Sequence, residues 1–368
     1  MESCGDLLRQ FGRKAFVVTG PHVARSAMMQ RLKAVLERAG MEYVVFDLID
    51  GEPTDRMVQD GVDAYYSERC NFCIGVGGGS PMDAAKAIAA MLGHPGHITD
   101  YMGKEFSRNM PAIVAIPTTA GTGSEATRFT IITDTKRGIK MLLKGDVLLP
   151  RLAIVDYTLG MDAPKSVTAA TGLDALTHAV ESYVSVKATP ETNALAEAAV
   201  CRIMRYLPVA YADGGNADAR REMARAALDA GICINNSSVT VVHGMSRPIG
   251  ALFHVPHGLS NAMLLPTCLA DLVPCAAGRL ARLSRLTGAV GADCPDDEAA
   301  QAFVGQIEKL CHTCQVPSLQ EYGIGEADFT AATDKMAADA IASGSPGNAP
   351  KAYTADDCKR LYLEAYKR

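Results

Sequence analysis

Apolar residues in the first part of the chain come in short, nearly unbroken runs: Ala15-Phe16-Val17-Val18-Thr19, Tyr43-Val44-Val45-Phe46, Phe72-Cys73-Ile74-Gly75-Val76, Ile113-Val114-Ala115-Ile116 and Ala153-Ile154-Val155. None has the in-out alternation of a half-exposed strand, and helix-sized segments separate them. The pattern predicts strands buried on both faces, hence a doubly wound parallel sheet in an α/β domain over residues 1–160. Two further runs, Ile131-Ile132-Thr133 and Lys140-Met141-Leu142-Leu143, predict a hairpin or a separate pair of strands. After Met161 the runs stop, and Ala-rich stretches with 3.6-residue apolar spacing take over at 169–186, 191–207, 219–232 and 297–310, with a last helix at 354–366. Residues 161–368 therefore predict an all-α domain.

Composition narrows the class. The chain has 368 residues, 48% apolar and 21% charged, with 36 basic against 41 acidic side chains and a net charge of −5. That content builds large cores and excludes a disordered chain. No segment concentrates Lys and Arg, so a nucleic-acid partner is not expected. The first ten residues carry Glu2 and Asp6 and no apolar stretch of the kind a secretory signal needs. No uninterrupted apolar run approaches the roughly 20 residues of a membrane span. A cytoplasmic protein without a membrane partner is the expectation. Eleven cysteines, an odd number, fit reduced thiols better than a disulfide framework. Cys70 with Cys73, and Cys311 with Cys314, have the spacing of zinc or redox half-sites, but each pair sits in an apolar pattern and reads as core.

Two glycine-rich turns follow predicted strands. Gly75-Val76-Gly77-Gly78-Gly79-Ser80-Pro81-Met82-Asp83 leads from a buried strand into a helix, the place where a parallel sheet binds anions. Ser80 predicts an N-cap, Pro81 the first helical position, and Asp83 the carboxylate of a capping box. The spacing fits neither the Gly-x-Gly-x-x-Gly fingerprint nor a Walker loop. The second turn, Pro117-Thr118-Thr119-Ala120-Gly121-Thr122-Gly123-Ser124-Glu125, offers small donors suited to lining a nucleotide pocket, or a plain polar loop. In the helical half, Asp174 and His178 lie four apart on one helix face, and His243 and His257 follow later. Three imidazoles and a carboxylate suit a divalent first-row metal such as iron(II) or zinc.

These four ordered motifs, with the first turn continuing to Lys86 and with Gly347-Asn348 before the last helix, resemble the iron-containing (group III) alcohol dehydrogenase family along essentially the whole chain. The resemblance implies a dinucleotide-binding domain, a helical metal domain, an active-site cleft between them and a homodimer. It assigns Asp174, His178, His243 and His257 as metal ligands, Fe(II) first and Zn second. It assigns Gly77, Gly78, Gly79, Ser80 and Asp83 to a pyrophosphate, Thr118 and Thr119 to the nucleoside, and Lys140 to cofactor contact. NAD-preferring members commonly end the first strand with an aspartate, where this chain has Gly20; the absent carboxylate tilts the expectation from NAD towards NADP. Many relatives carry a histidine where this chain has Arg247.

The implied reaction is hydride transfer between nicotinamide and a small alcohol or aldehyde, with the metal as Lewis acid. His254 is a candidate proton relay or a structural imidazole. Arg247, always protonated, predicts either a contact to an anionic group on the substrate or a structural pairing with a neighbouring acid. A non-redox lyase of the dehydroquinate-synthase type, also dependent on NAD and metal, is the alternative; the apolar stretch 248–253 argues against its polyhydroxylated substrate.

Overall fold

The buried runs form the strands they predict in a computed structural model that describes residues 1–368. In chain order the first part contains α1 (Gly5–Arg9), β1 (Lys14–Val18), α2 (Pro21–Ala24), α3 (Ala27–Arg38), β2 (Glu42–Phe46), α4 (Asp55–Ser67), β3 (Phe72–Gly77) and α5 (Gly79–Gly93). It continues with β4 (Ile113–Pro117), β5 (Phe129–Asp134), β6 (Ile139–Lys144) and β7 (Leu152–Ala153). Five strands make one sheet in the order β2-β1-β3-β4-β7, every pairing parallel, with Val17 opposite both Val45 and Ile74. The register explains the unbroken apolar runs. Phe16 and Val18 face one core with Ile88 of α5, while Ala15 and Val17 face another with Leu32 and Leu36 of α3. The additional pair β5 and β6 is antiparallel, Ile131 opposite Leu142, so the hairpin option holds.

The second part is helical: α6 (Lys165–Val184), α7 (Pro190–Ala212), α8 (Ala217–Ser237), α9 (Val241–Phe253), α10 (His257–Leu286), α11 (Asp296–Thr313), α12 (Glu326–Ala342) and α13 (Ala355–Tyr366). The chain packs as two compact units, Met1–Thr119 with Gly123–Gly160, and Ala120–Thr122 with Met161–Arg368. The core of the second gathers Leu176, Val200, Ile203, Leu269 and Phe303 from successive helices. Thr354 caps α13 and forms a capping box with Asp357, a local reason for the last helix to start there.

By length and composition α10 is apolar enough to cross a membrane, and 72% of its most apolar window is buried inside the protein. Polar residues spaced along this helix keep every uninterrupted apolar run within it short. All eleven cysteines are free, and Cys70, Cys73, Cys311 and Cys314 are buried, as their apolar settings predict.

Candidate functional site

In the first unit the chemistry gathers where β3 runs into α5. Gly77 has φ +146°, and a Cβ there would lie 2.8 Å from Pro81 Cγ, so only glycine makes the turn. The helix starts two residues earlier than expected for Ser80 as its cap: Gly78 is the N-cap, and no side chain caps the helix. Ser80 and Pro81 therefore lie inside the first turn. Asp83 does not reach back either. Its Oδ1 accepts from Ser124 Oγ at 2.6 Å and its Oδ2 from the Ile131 amide at 2.8 Å, so the carboxylate ties α5 to β5. What remains is a helix N-terminus whose first N–H groups have no side-chain acceptor, the arrangement that binds phosphate. Beside it, Thr119 Oγ1 is buried without a partner, and the space at Gly78 opens onto the Thr119 side chain. Thr118 holds the neighbouring strand end by donating its amide to Gly77 O at 2.9 Å. These features fit a dinucleotide pyrophosphate.

Two other residues read differently in three dimensions. Lys140 forms an ion pair with Glu52 at 2.6 Å. Gly20 is the N-cap of α2, and a Cβ there would lie 2.6 Å from the Ile49 carbonyl oxygen. Close backbone approach demands glycine at that position. Its presence therefore gives no ground for preferring NADP, which corrects that expectation.

In the second unit Asp174 and His178 project from one face of α6. His243 comes from the first turn of α9 and His257 from the start of α10. Gly258 lets α10 come close to α6: a Cβ on it would meet the Ala170 carbonyl oxygen at 2.3 Å. The result is convergence. Asp174 Oδ1 lies 3.8 Å from His178 Nε2, 3.6 Å from His243 Nε2 and 3.8 Å from His257 Nε2. Those spacings approach the about 3.4 Å between ligands of a tetrahedral site with bonds of about 2.1 Å. Asp174, His178 and His243 are almost fully buried, whereas the His257 side chain is 31% exposed and forms the accessible edge. Asn261, one turn along α10 from His257, places Nδ2 2.7 Å from Asp174 Oδ1, 3.1 Å from His243 Nε2 and 3.3 Å from His257 Nε2, while its Oδ1 is buried without a partner. A donor amid three would-be ligand atoms marks a place that attracts a cation, and the donor set fits a divalent first-row ion.

Electrostatics agree. Desolvation lowers His178 to about 4 and His257 to about 3, so both are neutral and able to bind metal. Although burial opposes its charge, Asp174 is held far below the usual carboxylate range by His178, His257 and His243. Sequence reasoning missed Glu181. This buried carboxylate accepts a hydrogen bond from His243 Nδ1 at 2.5 Å through Oε2, while Oε1 accepts from Thr240 Oγ1 and the Val242 amide, both at 2.7 Å. It thereby fixes the tautomer that points His243 Nε2 at the cluster and caps α9. Its signal was present: Glu181 lies three residues beyond His178 and seven beyond Asp174, on the same helix face.

His254 is exposed, caps α9 in the left-handed conformation (φ 55°, ψ 27°), and accepts at its carbonyl from Tyr322 Oη at 3.5 Å. Its turn redirects the chain from α9 into α10. Arg247 pairs with no acid, contrary to the structural alternative; Nη1 donates to Ser345 Oγ at 2.9 Å.

Comparison with known proteins agrees with this geometry. Residues 1–157 match the family model for iron-containing alcohol dehydrogenase, and residues 168–366 match that of the Fe-containing alcohol dehydrogenase family, C-terminal. The chain belongs to the iron-containing alcohol dehydrogenase family, and it is an oxidoreductase of the alcohol dehydrogenase type. It is 36% identical to the 1,3-propanediol dehydrogenase of Citrobacter freundii over 359 residues, covering 96% of this chain and 92% of the relative. The NAD-dependent methanol dehydrogenase of Bacillus methanolicus is 33% identical, covering 99% and 96%. A crystal structure of a 1,3-propanediol oxidoreductase superposes with TM-score 0.95 at 34% identity, covering 99% of this chain and 95% of that one. The lyase alternative is not favoured by these relatives.

Proposed function

We propose that the protein is an NAD-linked, iron(II)-dependent dehydrogenase that interconverts a small alcohol and its aldehyde. The observation that carries the reading is the approach of three imidazole Nε2 atoms to within 3.8 Å of Asp174 Oδ1. Iron(II) follows the description of the family, and NAD the name of the Bacillus methanolicus relative. When bound, the ion supplies Lewis acidity at the alcohol oxygen and the nicotinamide supplies a hydride acceptor. With both groups bound, oxidation would remove a hydride from the alcohol carbon and release the hydroxyl proton to solvent, so that alcohol and NAD⁺ would give aldehyde, NADH and H⁺.

The chain's own residues do the positioning. Asp174, His178, His243 and His257 hold the ion, with Glu181 locking the His243 ring. The bare N-terminus of α5, at Gly77, Gly78, Gly79 and Ser80, takes the pyrophosphate, with Thr118 and Thr119 beside it. Lys140 reaches a cofactor only by leaving Glu52. A panel of alcohols and aldehydes with each coenzyme, assayed on iron-replete and chelated protein, tests the reading. Turnover should require the metal. Full activity in a sample shown to be metal-free would overturn it.

A further inference from the structure

Arg247 is the unexplained charge of the metal unit. It lies one helical turn beyond His243 on α9, so both side chains emerge from the same face. It is near enough to act electrostatically on His257, the accessible member of the cluster. Of its five donors, one hydrogen bond is made, to the neutral Ser345 hydroxyl. Nε is buried with no partner, and no carboxylate pairs with the guanidinium. Arg247 is half-buried, and a charge partly withdrawn from water is ordinarily matched by an opposite charge, because desolvation is costly. The two buried carboxylates of the cluster, Asp174 and Glu181, balance a divalent ion, which leaves the arginine charge in surplus.

We propose that Arg247 is a specificity residue: it selects substrates whose alcohol or aldehyde carbon is tethered to a small anionic group, a carboxylate, sulfonate or phosphonate. The planar fork of guanidinium donors matches such an oxyanion in two parallel hydrogen bonds, which a histidine at this position does not offer. Ser345, itself 4% exposed, holds one arm of the fork and leaves the rest free. This inference rests on the dehydrogenase reading above, and adds the chemistry of the substrate's far end.

The test compares aldehydes of similar length with and without charge: 4-oxobutanoate, 2-oxoethanesulfonate and 2-oxoethylphosphonate against butanal and propanal. Wild-type protein should show the higher kcat/KM for an anionic member, and the best of the three identifies the headgroup. Arg247→Gln keeps a donor for Ser345 but loses the charge; the anionic-to-neutral ratio of kcat/KM should fall about 30-fold or more, the loss expected when one partner of a desolvated charge pair is removed. Ser345→Ala should keep the preference, since it removes only the arm's support. A readout independent of turnover is calorimetric binding of propanoate, ethanesulfonate and ethylphosphonate, none of which can react. At least one should bind wild type, and bind Arg247→Gln about tenfold or more weakly.

Equal losses for charged and neutral aldehydes, a wild-type preference for the neutral series, or undiminished binding of all three anions to Arg247→Gln overturns the inference. If Arg247→Gln does not fold, the wild-type ratio and calorimetry decide. Absence of nicotinamide-linked turnover with every aldehyde would sink the dehydrogenase reading instead, and calorimetry would then judge the anion site alone.

Discussion

Glu181 touches none of the atoms expected to react, yet it accounts for the orientation of His243. The ring could rotate or bind through either nitrogen if its Nδ1 proton were free. With the Nδ1–H donated to Glu181 Oε2, only Nε2 is left to a metal. Replacing the carboxylate by an amide keeps the size but weakens the acceptor, so Glu181→Gln should lower iron affinity about 10- to 100-fold, read by competition with a chelator. Direct removal of a ligand should do more: His257→Ala protein should purify with little iron by elemental analysis. An unchanged iron content in His257→Ala would remove that residue from the ligand set.

At the scale of elements, two helix starts position the chemistry, and both depend on glycine. The turn before α5 cannot accept a side chain at Gly77, where φ is +146° and Pro81 is in the way. Gly77→Ala should therefore destabilise the protein by about 2 kcal/mol or more, seen as a lower denaturant midpoint. Gly78 differs: its φ of −74° is open to any residue, and a Cβ would meet only the Thr119 side chain, at 3.7 Å. Gly78→Leu should fold and bind NAD about tenfold or more weakly, because the side chain fills the space a pyrophosphate needs. Equal NAD affinity in this variant would argue that the cofactor lies elsewhere. Behind the turn, the fully buried Lys86 donates to Thr127 O, Thr127 Oγ1 and Phe129 O at 2.9, 3.0 and 2.9 Å, binding α5 to the segment that leads into β5. Burial lowers its amine to about 8.

At the scale of the whole molecule, all four residues proposed to hold the metal belong to the helical unit, and they are brought together from α6, α9 and α10 across more than eighty positions of sequence. An ion bound only by the folded state stabilises it by mass action, about 2.7 kcal/mol at a hundred times its Kd. Chelation should lower the melting temperature of iron-loaded wild type, while Asp174→Ala should melt at the same temperature with and without chelator. Equal chelator sensitivity in both would place the metal somewhere else. The apolar helix α10 also belongs to this scale, since its character is decided by what surrounds it: most of its apolar window is covered by neighbouring helices.

The strands, most helices and the residue types of the metal cluster were legible in the sequence because they rest on local rules: apolar periodicity, strand-to-helix glycine turns, and ligand spacing on one helix face. The start of α5 was misread because Ser80, Pro81 and Asp83 satisfy the local rules of a cap, while β5 draws the Asp83 carboxylate to itself. Gly20 was misread as an electrostatic choice because only the folded chain brings the Ile49 carbonyl against it. Glu181 could have been found by its place on the ligand face of α6, but its bond to His243, the position of Asn261 and the unpaired state of Arg247 depend on contacts between segments far apart in sequence, which no local pattern encodes. The sequence alone determined which chemical groups the protein has and which elements carry them; the tertiary structure decided which of those groups meet, because burial and hydrogen bonding are set by neighbours that folding brings together.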